Sequence, residues 1–490
     1  MSHYDSQSLA LEPLRREESP SVEATGPYCI ATSTLGAPAQ DVFRWHQRRG
    51  AFERLTPPWE DVTVERVEGA PLENGTEVHL SMGVGALRVP WVARHEGFCE
   101  GKCFRDVQQR GPFKYFAHDH LFEDTAEGCR YTDRIEFQPP LGALGRLVSA
   151  GALRQKLARM LRYRHDTLAW DLARQTQLAL PRKVALTGAS GLVGTQLSAA
   201  LSTAGVDVIH LVRRAPRAPW ERQWDPARGQ LDPASLSDVD AVIHLAGESI
   251  VGRWSAAKKQ RIRGSRVEGT RLLAEALAHH HLAGRRGPTT FLTASGVGYY
   301  GATLARDAAP SDETSPQGTG YLAEVVHAWE EASEPAKQAG LRVAHLRLGI
   351  VLSPSGGALR TMLPASRLGV AGPLGDGKQW LSFVGLDDAI DAFLFALSSE
   401  SLAGAVNVVA PEAVQQKAFM ATLGRVLNRP ACMPLPAALL RLALGEAADE
   451  MLLASLNVKP QRLLDAGFRF RTPSLEATLR HGLGRYESNA

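Results

Sequence analysis

The chain has 490 residues, a formal net charge of +3, 44% hydrophobic residues and 22% charged residues. This length and composition predict two or three domains of a soluble globular protein. The small net charge gives no reason to expect nucleic acid or a membrane surface as a partner. No stretch supplies the roughly 18 uncharged apolar residues that a membrane span requires.

The cysteines are odd in number, and their spacing fits neither a zinc site nor a disulfide framework. They are Cys29, Cys99, Cys103, Cys129 and Cys432. We therefore expect reduced thiols in a cytoplasmic protein. Residues 1–26 are polar and mixed in charge, without the apolar core of a signal peptide, and are predicted to form a disordered tail.

Residues 27–178 have the pattern of an α+β domain. A proline near the first turn predicts a helix at 37–47. Alternating apolar and polar residues then predict half-buried antiparallel strands in TEVHLSM, LRVPWVARHE, KCFRDVQQ, FKYFAHDHLFED and CRYTDRIEFQ. Residues 147–175 predict one long helix, because leucines recur near the helical period at Leu153, Leu157, Leu161, Leu168 and Leu172. A curved sheet folded around one helix leaves a cavity between them.

This order of elements, with GPFKYFAHDHLF and TDRIEFQPPLG, resembles the SRPBCC superfamily of START-like and polyketide-cyclase-like helix-grip domains. The resemblance implies an apolar ligand in the cavity, and a filled core that serves as a docking module is the alternative. His118 and His120 share one face of a predicted strand with Phe116 and Phe122. We interpret the histidines as cavity-lining or core residues and predict no metal site, because no third ligand stands at a suitable spacing.

From Lys183 onward strands and helices alternate, which predicts a parallel, doubly wound Rossmann sheet. The apolar strand at 183–187 is followed by three glycines and a helix. Gly188 permits a tight turn, Gly191 lets backbone amides approach a pyrophosphate, and Gly194 lets the helix pack on the strand. A turn without a ligand is the alternative. The predicted cofactor-binding residues of this turn are Gly188, Ser190, Gly191, Leu192, Val193 and Gly194.

The next strand, VDVIHLVRR, indicates which cofactor the turn binds. NAD-binding proteins place Asp or Glu at the end of this strand, where it bonds the adenine ribose. This chain has Arg213 and Arg214 there, and guanidinium groups bind a 2′-phosphate through two donors. The sequence therefore favours NADP over NAD, with a solvated basic loop as the alternative. The fourth strand ends in residues that allow close packing beside the cofactor: Leu245, Ala246 and Gly247.

The spacing of GASGLVG, HLAGE and ASGVGYYG resembles the extended short-chain dehydrogenase/reductase superfamily. More narrowly, VIHLAGESIVGRWSAAKKQRIRGSRVEGTRLL, GYLAEVVHAWE and GDGKQWLSFVGLDD are similar to its atypical nucleoside-diphosphate-sugar epimerase-like subfamily. The resemblance spans residues 183–484 and implies a small C-terminal cap at about 430–484.

Enzymes of that superfamily use a serine or threonine, a tyrosine and a lysine four residues after the tyrosine. The lysine lowers the tyrosine pKa so that the hydroxyl can exchange a proton with the substrate. The resemblance assigns the serine and tyrosine roles to Ser295 and Tyr321, while Val325 stands in place of the lysine. Either a substitute cation such as Lys378 acts, or another group donates the proton, or the domain binds cofactor with little turnover. The alternative donors are Tyr299, Tyr300 and His327.

By the same analogy Gly349 lies near the nicotinamide, and the residues expected to face the substrate are Tyr299, Lys378 and Trp380. We therefore expect an NADP-dependent oxidoreductase or epimerase-like enzyme that acts on a small organic substrate. The alternative is an NADP(H)-binding sensor or ligand-binding protein with little or no catalysis.

Overall fold

The computed structural model describes residues 20–84, 87–139, 142–302 and 309–486, which divide into two units. The first unit consists of the described residues up to Leu178 together with Tyr486. The second runs from Ala179 to Arg485, except that Ser202–Gly205 group with the first. Within the described ranges, no helix has both the length and the apolarity to cross a membrane.

The predicted disordered tail is wrong for its last residues. Ser21–Thr25 form strand β1, which pairs antiparallel with β2, Tyr28–Leu35. Gly26 lies in the turn between them with a φ of +54°, a conformation that favours glycine. A strand of only five residues is hard to recognise in a sequence, because hydrogen bonds to its partner strand, here β2, hold it in an extended conformation. Residues 1–19 of the predicted tail lie outside the described residues.

An antiparallel sheet and a long helix make up the first unit. Its further elements are α1 Ala39–Gln47, α2 Ala51–Leu55, β3 Val62–Glu68, β4 Glu77–Val84, β5 Leu87–Cys99, β6 Cys103–Arg110, β7 Tyr115–Thr125, β8 Gly128–Gln138 and α3 Gly142–Gln175. The strand order is β1-β2-β8-β7-β6-β5-β4-β3. The five predicted strands correspond to β4–β8, whereas β2, β3 and α2 were not predicted.

The long helix α3 packs its leucines against the sheet of this unit. Leu161 and Leu168 are fully buried, and Leu157 and Leu172 are nearly so. Leu161 packs in a cluster with Ile135 and other sheet residues, while Leu168 packs with residues of α1 and the far end of the sheet. The predicted helix-grip arrangement is therefore confirmed.

The second unit alternates strands and helices. Its elements are β9 Lys183–Thr187, α4 Leu192–Thr203, β10 Asp207–Val212, β11 Glu221–Asp225, β12 Gln230–Leu231, β13 Ala241–His244, α5 Ala256–Leu282, β14 Thr290–Gly296, α6 Tyr321–Glu331, α7 Glu334–Gln338, β15 Arg342–Leu348, β16 Ile350–Leu352, α8 Gly357–Arg367, β17 Trp380–Leu381, β18 Phe383–Gly385, α9 Leu386–Ser398, β19 Gly404–Val408, β20 Val414–Gln415, α10 Gln416–Leu427, α11 Ala437–Leu444, α12 Gln461–Asp465 and α13 Leu475–Leu483.

The main sheet of this unit has the order β12-β11-β10-β9-β13-β14-β15-β19, and all pairs are parallel except β11 with β12. The predicted doubly wound Rossmann fold is thus confirmed. The strand order reverses between β9 and β13, which are hydrogen-bonded neighbours. Ligands of such sheets bind outside the carboxyl ends of the strands at this reversal.

The C-terminal part of the second unit is helical. It contains α11, a π-helical turn at Ala448–Leu452, α12 and α13. Leu475, Leu479 and Leu483 of α13 pack in one apolar cluster with residues of α10 and α8. The last helix of the predicted cap is therefore built into the core of the Rossmann unit.

Candidate functional site

The glycine turn lies between β9 and α4, at the reversal of the strand order. Gly188 has a φ of +70°, and a Cβ there would come within 2.8 Å of the Leu245 carbonyl carbon. A Cβ at Gly194 would overlap the carbonyl oxygen of Gly188. The backbone therefore requires glycine at both positions. Ser190 and Gly191 are exposed beside the first amides of α4, which have no acceptor within the helix and carry its positive dipole end.

A buried threonine ties the glycine turn to the loop after β13. The amides of Leu245 and Ala246 donate to Thr187 Oγ1 at 3.1 and 3.2 Å, and the Thr187 hydroxyl lies 2.7 Å from His244 Nδ1. Burial, with a contribution from the nearby Arg266 charge, lowers the pKa of His244 to about 3. A neutral ring can accept a hydrogen bond from the Thr187 hydroxyl. The loop of Leu245, Ala246 and Gly247 is thus held beside the turn, as close packing around a dinucleotide requires.

The two arginines after β10 have different surroundings. Arg214 forms a two-point ion pair with Glu221 of β11, at 2.8 and 2.5 Å. Arg213 is exposed, and none of the carboxylates described in the structure pairs with it. The guanidinium of Arg213 is therefore available to an external anion, whereas that of Arg214 is held by the protein.

Ser295, at the end of β14, donates to a buried carboxylate. Its hydroxyl lies 2.6 Å from Oε1 of Glu330 on α6. Arg347 of β15 binds both oxygens of that carboxylate, at 2.8 and 2.7 Å. Burial acts to raise the pKa of Glu330, but the hydrogen bonds and charge of Arg347 hold it below its usual range. Ser295 is thus part of a buried ion-pair network.

Two adjacent tyrosines complete this network. Arg347 donates to the hydroxyl of Tyr300 at 3.0 Å, and that hydroxyl donates to Oδ1 of Asn407 at 2.8 Å. The guanidinium carbon of Arg347 lies 3.5 Å from the ring centroid of Tyr299, so one face of that ring is covered. Of the two tyrosines only Tyr299 is partly exposed, and it is the one whose free surface can meet a substrate.

Tyr321 begins α6 and has partners on α5 and in the cap. Its hydroxyl donates to the carbonyl oxygen of Lys259 at 2.6 Å, and the Lys259 ammonium lies 4.3 Å from the ring centroid. The backbone amides of Tyr321 and Leu322 donate to Glu450 at 3.1 and 3.2 Å. Burial raises the pKa of Tyr321, although the charge of Arg266 acts in the opposite direction.

The structure gives Ser295 and Tyr321 separate hydrogen-bond partners. Ser295 binds Glu330 and Tyr321 binds the Lys259 carbonyl, and the structure records no bond between the two hydroxyls in the described residues. Val325, in place of the superfamily lysine, is 2% exposed in an apolar cluster with Trp254 and others. A lysine at that position would bury an ammonium among apolar groups.

The remaining predicted residues lie along β15–β17. A Cβ at Gly349 would come within 2.7 Å of the Ser382 carbonyl oxygen, so this position requires glycine. Lys378 is exposed, in a turn where its amide donates to Asp376. The amide of Trp380 donates to Ser455 of the cap at 3.2 Å. The predicted substrate loop therefore lies against the cap segment.

Sequence reasoning missed the partner residues Glu330, Arg347, Lys259 and Glu450, of which Arg347 is buried. One signal was present for Arg347, because it interrupts the apolar strand RVAHLRL and a buried charge requires a counter-charge. No comparable signal identified the carbonyl of Lys259, since any residue presents one.

Three family models match the chain. The NAD dependent epimerase/dehydratase family matches residues 184–409. A domain of unknown function, DUF1731, matches residues 435–482. The polyketide cyclase / dehydrase and lipid transport family matches residues 35–161.

Whole proteins match as well. An epimerase family protein of Mycobacterium bovis is 42% identical over 303 residues, 62% of this chain and 98% of that protein. The human epimerase family protein SDR39U1, crystallised with NADPH, is 32% identical with a TM-score of 0.55 and covers 61% of this chain and 98% of that one. The crystal structure of the nucleoside-diphosphate sugar epimerase from Corynebacterium glutamicum is 33% identical, with a TM-score of 0.75. It covers 93% of this chain and 90% of that one.

Proposed function

The chain belongs to the NAD dependent epimerase/dehydratase family, and from this premise we propose that it is an NADP(H)-dependent oxidoreductase or epimerase-like enzyme acting on a small organic substrate. The glycine turn carries the proposal. Gly188 and Gly194 allow the turn, and the first amides of α4 follow directly after the exposed Ser190 and Gly191. Such amides bind a pyrophosphate at the reversal of a doubly wound sheet.

The preference for NADP(H) rests on Arg213. Its exposed guanidinium follows β10, where NAD-binding proteins carry an acidic residue. Arg214 and Glu221 form an ion pair without net charge. The Glu221 carboxylate is bound by this guanidinium and therefore does not repel a 2′-phosphate. The relative crystallised with NADPH supports the same choice.

Calorimetry with NADPH and NADH tests the cofactor. NADPH should bind the wild type more tightly than NADH does. Arg213→Ala should weaken NADPH about 10- to 100-fold, the effect of about 1.5–3 kcal/mol for a hydrogen bond to a charged group, and leave NADH unchanged. Arg228→Ala removes another exposed arginine of the same unit and is the control. Tighter binding of NADH, or an equal loss in the control, would contradict the assignment.

In the proposed reaction the nicotinamide supplies or accepts a hydride, and a protein group must hold a proton at the substrate oxygen. Burial raises the pKa of Tyr321, so this phenol keeps its proton at neutral pH. It is therefore suited to donate a proton to an oxygen that gains negative charge when a carbonyl is reduced. For that step the hydroxyl must turn from the Lys259 carbonyl to the substrate, while the charge of nearby Arg266, which acts to lower the Tyr321 pKa, stabilises the phenolate.

A second candidate function is NADP(H) binding with little turnover, as in a redox sensor. This function is favoured because both candidate catalytic hydroxyls already form hydrogen bonds within the protein. Ser295 donates to Glu330, and Tyr321 donates to a backbone carbonyl. Single-turnover oxidation of bound NADPH across a panel of carbonyl compounds separates the two functions. Turnover that is lost in Tyr321→Phe and kept in Tyr115→Phe, at a tyrosine of the N-terminal unit, supports the enzyme. NADPH binding without oxidation by any compound supports the sensor.

Two further expectations are part of the proposal. We place the activity in the cytoplasm, because all five cysteines are free thiols. For the N-terminal unit we propose an apolar ligand, which its match to the polyketide cyclase / dehydrase and lipid transport family supports. Native mass spectrometry of protein purified from cells would detect such a ligand, and a unit that is always empty would count against it.

A further inference from the structure

One face of the N-terminal sheet carries a group of register-matched polar residues. His95 of β5 lies opposite Asp106 of β6, which lies opposite His118 of β7. One step further along the sheet, His120 of β7 lies opposite Asp133 of β8. Residues two apart on a strand share a face, so these five side chains converge.

Three of these side chains present potential metal ligands. One ring nitrogen each of His118 and His120 and one carboxylate oxygen of Asp106 lie within 4.8 Å of one another. His120 Nε2 is 3.3 Å from Asp106 Oδ2, longer than a charge-assisted hydrogen bond of about 2.7–2.9 Å. Two ligand atoms bound to one tetrahedral zinc at about 2.0–2.1 Å lie roughly 3.4 Å apart. The distance between His120 Nε2 and Asp106 Oδ2 is therefore close to that between two ligand atoms of one tetrahedral zinc ion.

Asp133 lies within hydrogen-bond distance of one nitrogen of each imidazole. Its Oδ1 lies 2.9 Å from His118 Nε2 and 2.7 Å from His120 Nδ1. Metal-bound histidines characteristically donate their second nitrogen to a carboxylate, which fixes the ring orientation. The arrangement leaves Nε2 of His120 directed at Asp106.

The surroundings favour ligation over exposure to water. His118 and His120 are 6% and 1% exposed, and the ring of Phe104 stacks on His120 with centroids 4.1 Å apart. His95 Nε2 lies 3.4 Å from Asp106 Oδ1 and steadies the carboxylate from its other side.

We propose that His118, His120 and Asp106 bind a divalent first-row transition metal ion in the N-terminal unit. Two imidazoles and one carboxylate are a ligand set for zinc and for iron(II). Three protein ligands leave a coordination position open, which is the arrangement of catalytic rather than structural zinc sites. Asp133 and His95 are positioning residues in this proposal.

Titration of the chelator-treated full chain with Co²⁺ and Zn²⁺ tests the site. The wild type should bind a single Co²⁺ ion with visible d–d absorption, and Zn²⁺ should displace it. His118→Gln and Asp106→Asn should each weaken Co²⁺ binding by at least about 10–100-fold, a loss that second-shell changes alone can reach. NADPH binding, a property of the other unit, should not change.

The control is His79→Gln. Among the described residues, His79, Glu68 and Glu77 form the other group of side chains that could bind a metal ion. Glu68 and Glu77 are more exposed than Asp106. Binding that persists in His118→Gln but is lost in His79→Gln would overturn the assignment. Circular dichroism checks that each variant folds. If a variant does not fold, X-ray absorption of the Co²⁺-loaded wild type decides, and a spectrum without imidazole ligands, or no binding at all, rejects the site.

Discussion

Each unit of this protein buries a cluster of opposite charges, and the two clusters are built differently. In the Rossmann unit, both oxygens of Glu330 bind Arg347, Ser295 donates a third bond, and Arg347 also reaches Tyr300. In the N-terminal unit, Asp106 meets only histidines, at 3.3 and 3.4 Å. Its Oδ1 is buried without a hydrogen-bond partner among the described residues.

The difference follows from the cations. The planar fork of arginine matches a carboxylate and keeps its charge at any physiological pH, so the Glu330–Arg347 pair is a permanent structural contact. An imidazole can release its proton and then offer a lone pair to a metal. A saturated arginine cluster therefore indicates stability, and an unsaturated histidine cluster indicates a binding site.

The largest expected effect comes from breaking the saturated pair. Arg347→Met should lower the free energy of unfolding by about 3–5 kcal/mol, because it leaves the Glu330 carboxylate buried without its counter-charge. Urea unfolding measures the loss. Arg228→Met, at an exposed pair with Asp225, should change stability by no more than about 0.5 kcal/mol. Similar small losses in both variants would show that the buried pair is not structural.

Lowering the pH should remove part of the stability that the Glu330–Arg347 pair contributes. Because its partners hold the Glu330 pKa below the usual range, ionised Glu330 stabilises the fold above the ordinary glutamate pKa, and this stability is lost as pH falls through the lowered value. The stability difference between wild type and Glu330→Gln should therefore shrink on acidification. Glu331→Gln, at the exposed neighbouring residue, is the control. A difference independent of pH would mean that Glu330 is not charged in the fold.

These clusters also show where prediction from the sequence ends. The glycine turn was predictable residue by residue, since Gly188 and Gly194 are required by backbone within the same turn or the adjoining loop. The Rossmann and helix-grip folds were predictable from element order. The partner of Ser295 lies 35 residues away and that of Tyr321 lies 62 residues away. Such contacts depend on how helices pack on the sheet, which periodicity does not specify.

The histidine cluster shows that contacts between neighbouring strands are equally hard to predict from the sequence. His118 and His120 were recognised as a pair on one strand face, but a third ligand was sought by spacing along the chain. Asp106 comes opposite His118 only through the register of β6 and β7. That register depends on the loop between the two strands and on how the sheet packs, and a single sequence does not fix it.

A smaller effect is expected at Ser295. Ser295→Ala removes one hydrogen bond to the charged Glu330 and should cost about 1.5 kcal/mol of unfolding free energy, since both Arg347 bonds remain. NADPH affinity should stay the same. Ser401→Ala, at an exposed serine of the same unit, controls for loss of a hydroxyl. A lower NADPH affinity with unchanged stability would instead place Ser295 at the cofactor.

The smallest effect is expected in the unsaturated cluster. Asp106→Asn, in protein treated with a chelator, should cost only about 1 kcal/mol, because the contacts of Asp106 to His95 and His120 are long, at 3.4 and 3.3 Å, and its Oδ1 has no hydrogen bond to lose. The asparagine keeps one acceptor oxygen in the same shape. Urea unfolding beside Arg347→Met gives the direct comparison. An equal cost in the two variants would show that the histidine cluster is as much a structural ion pair as the arginine cluster, and the contrast between the units would fail.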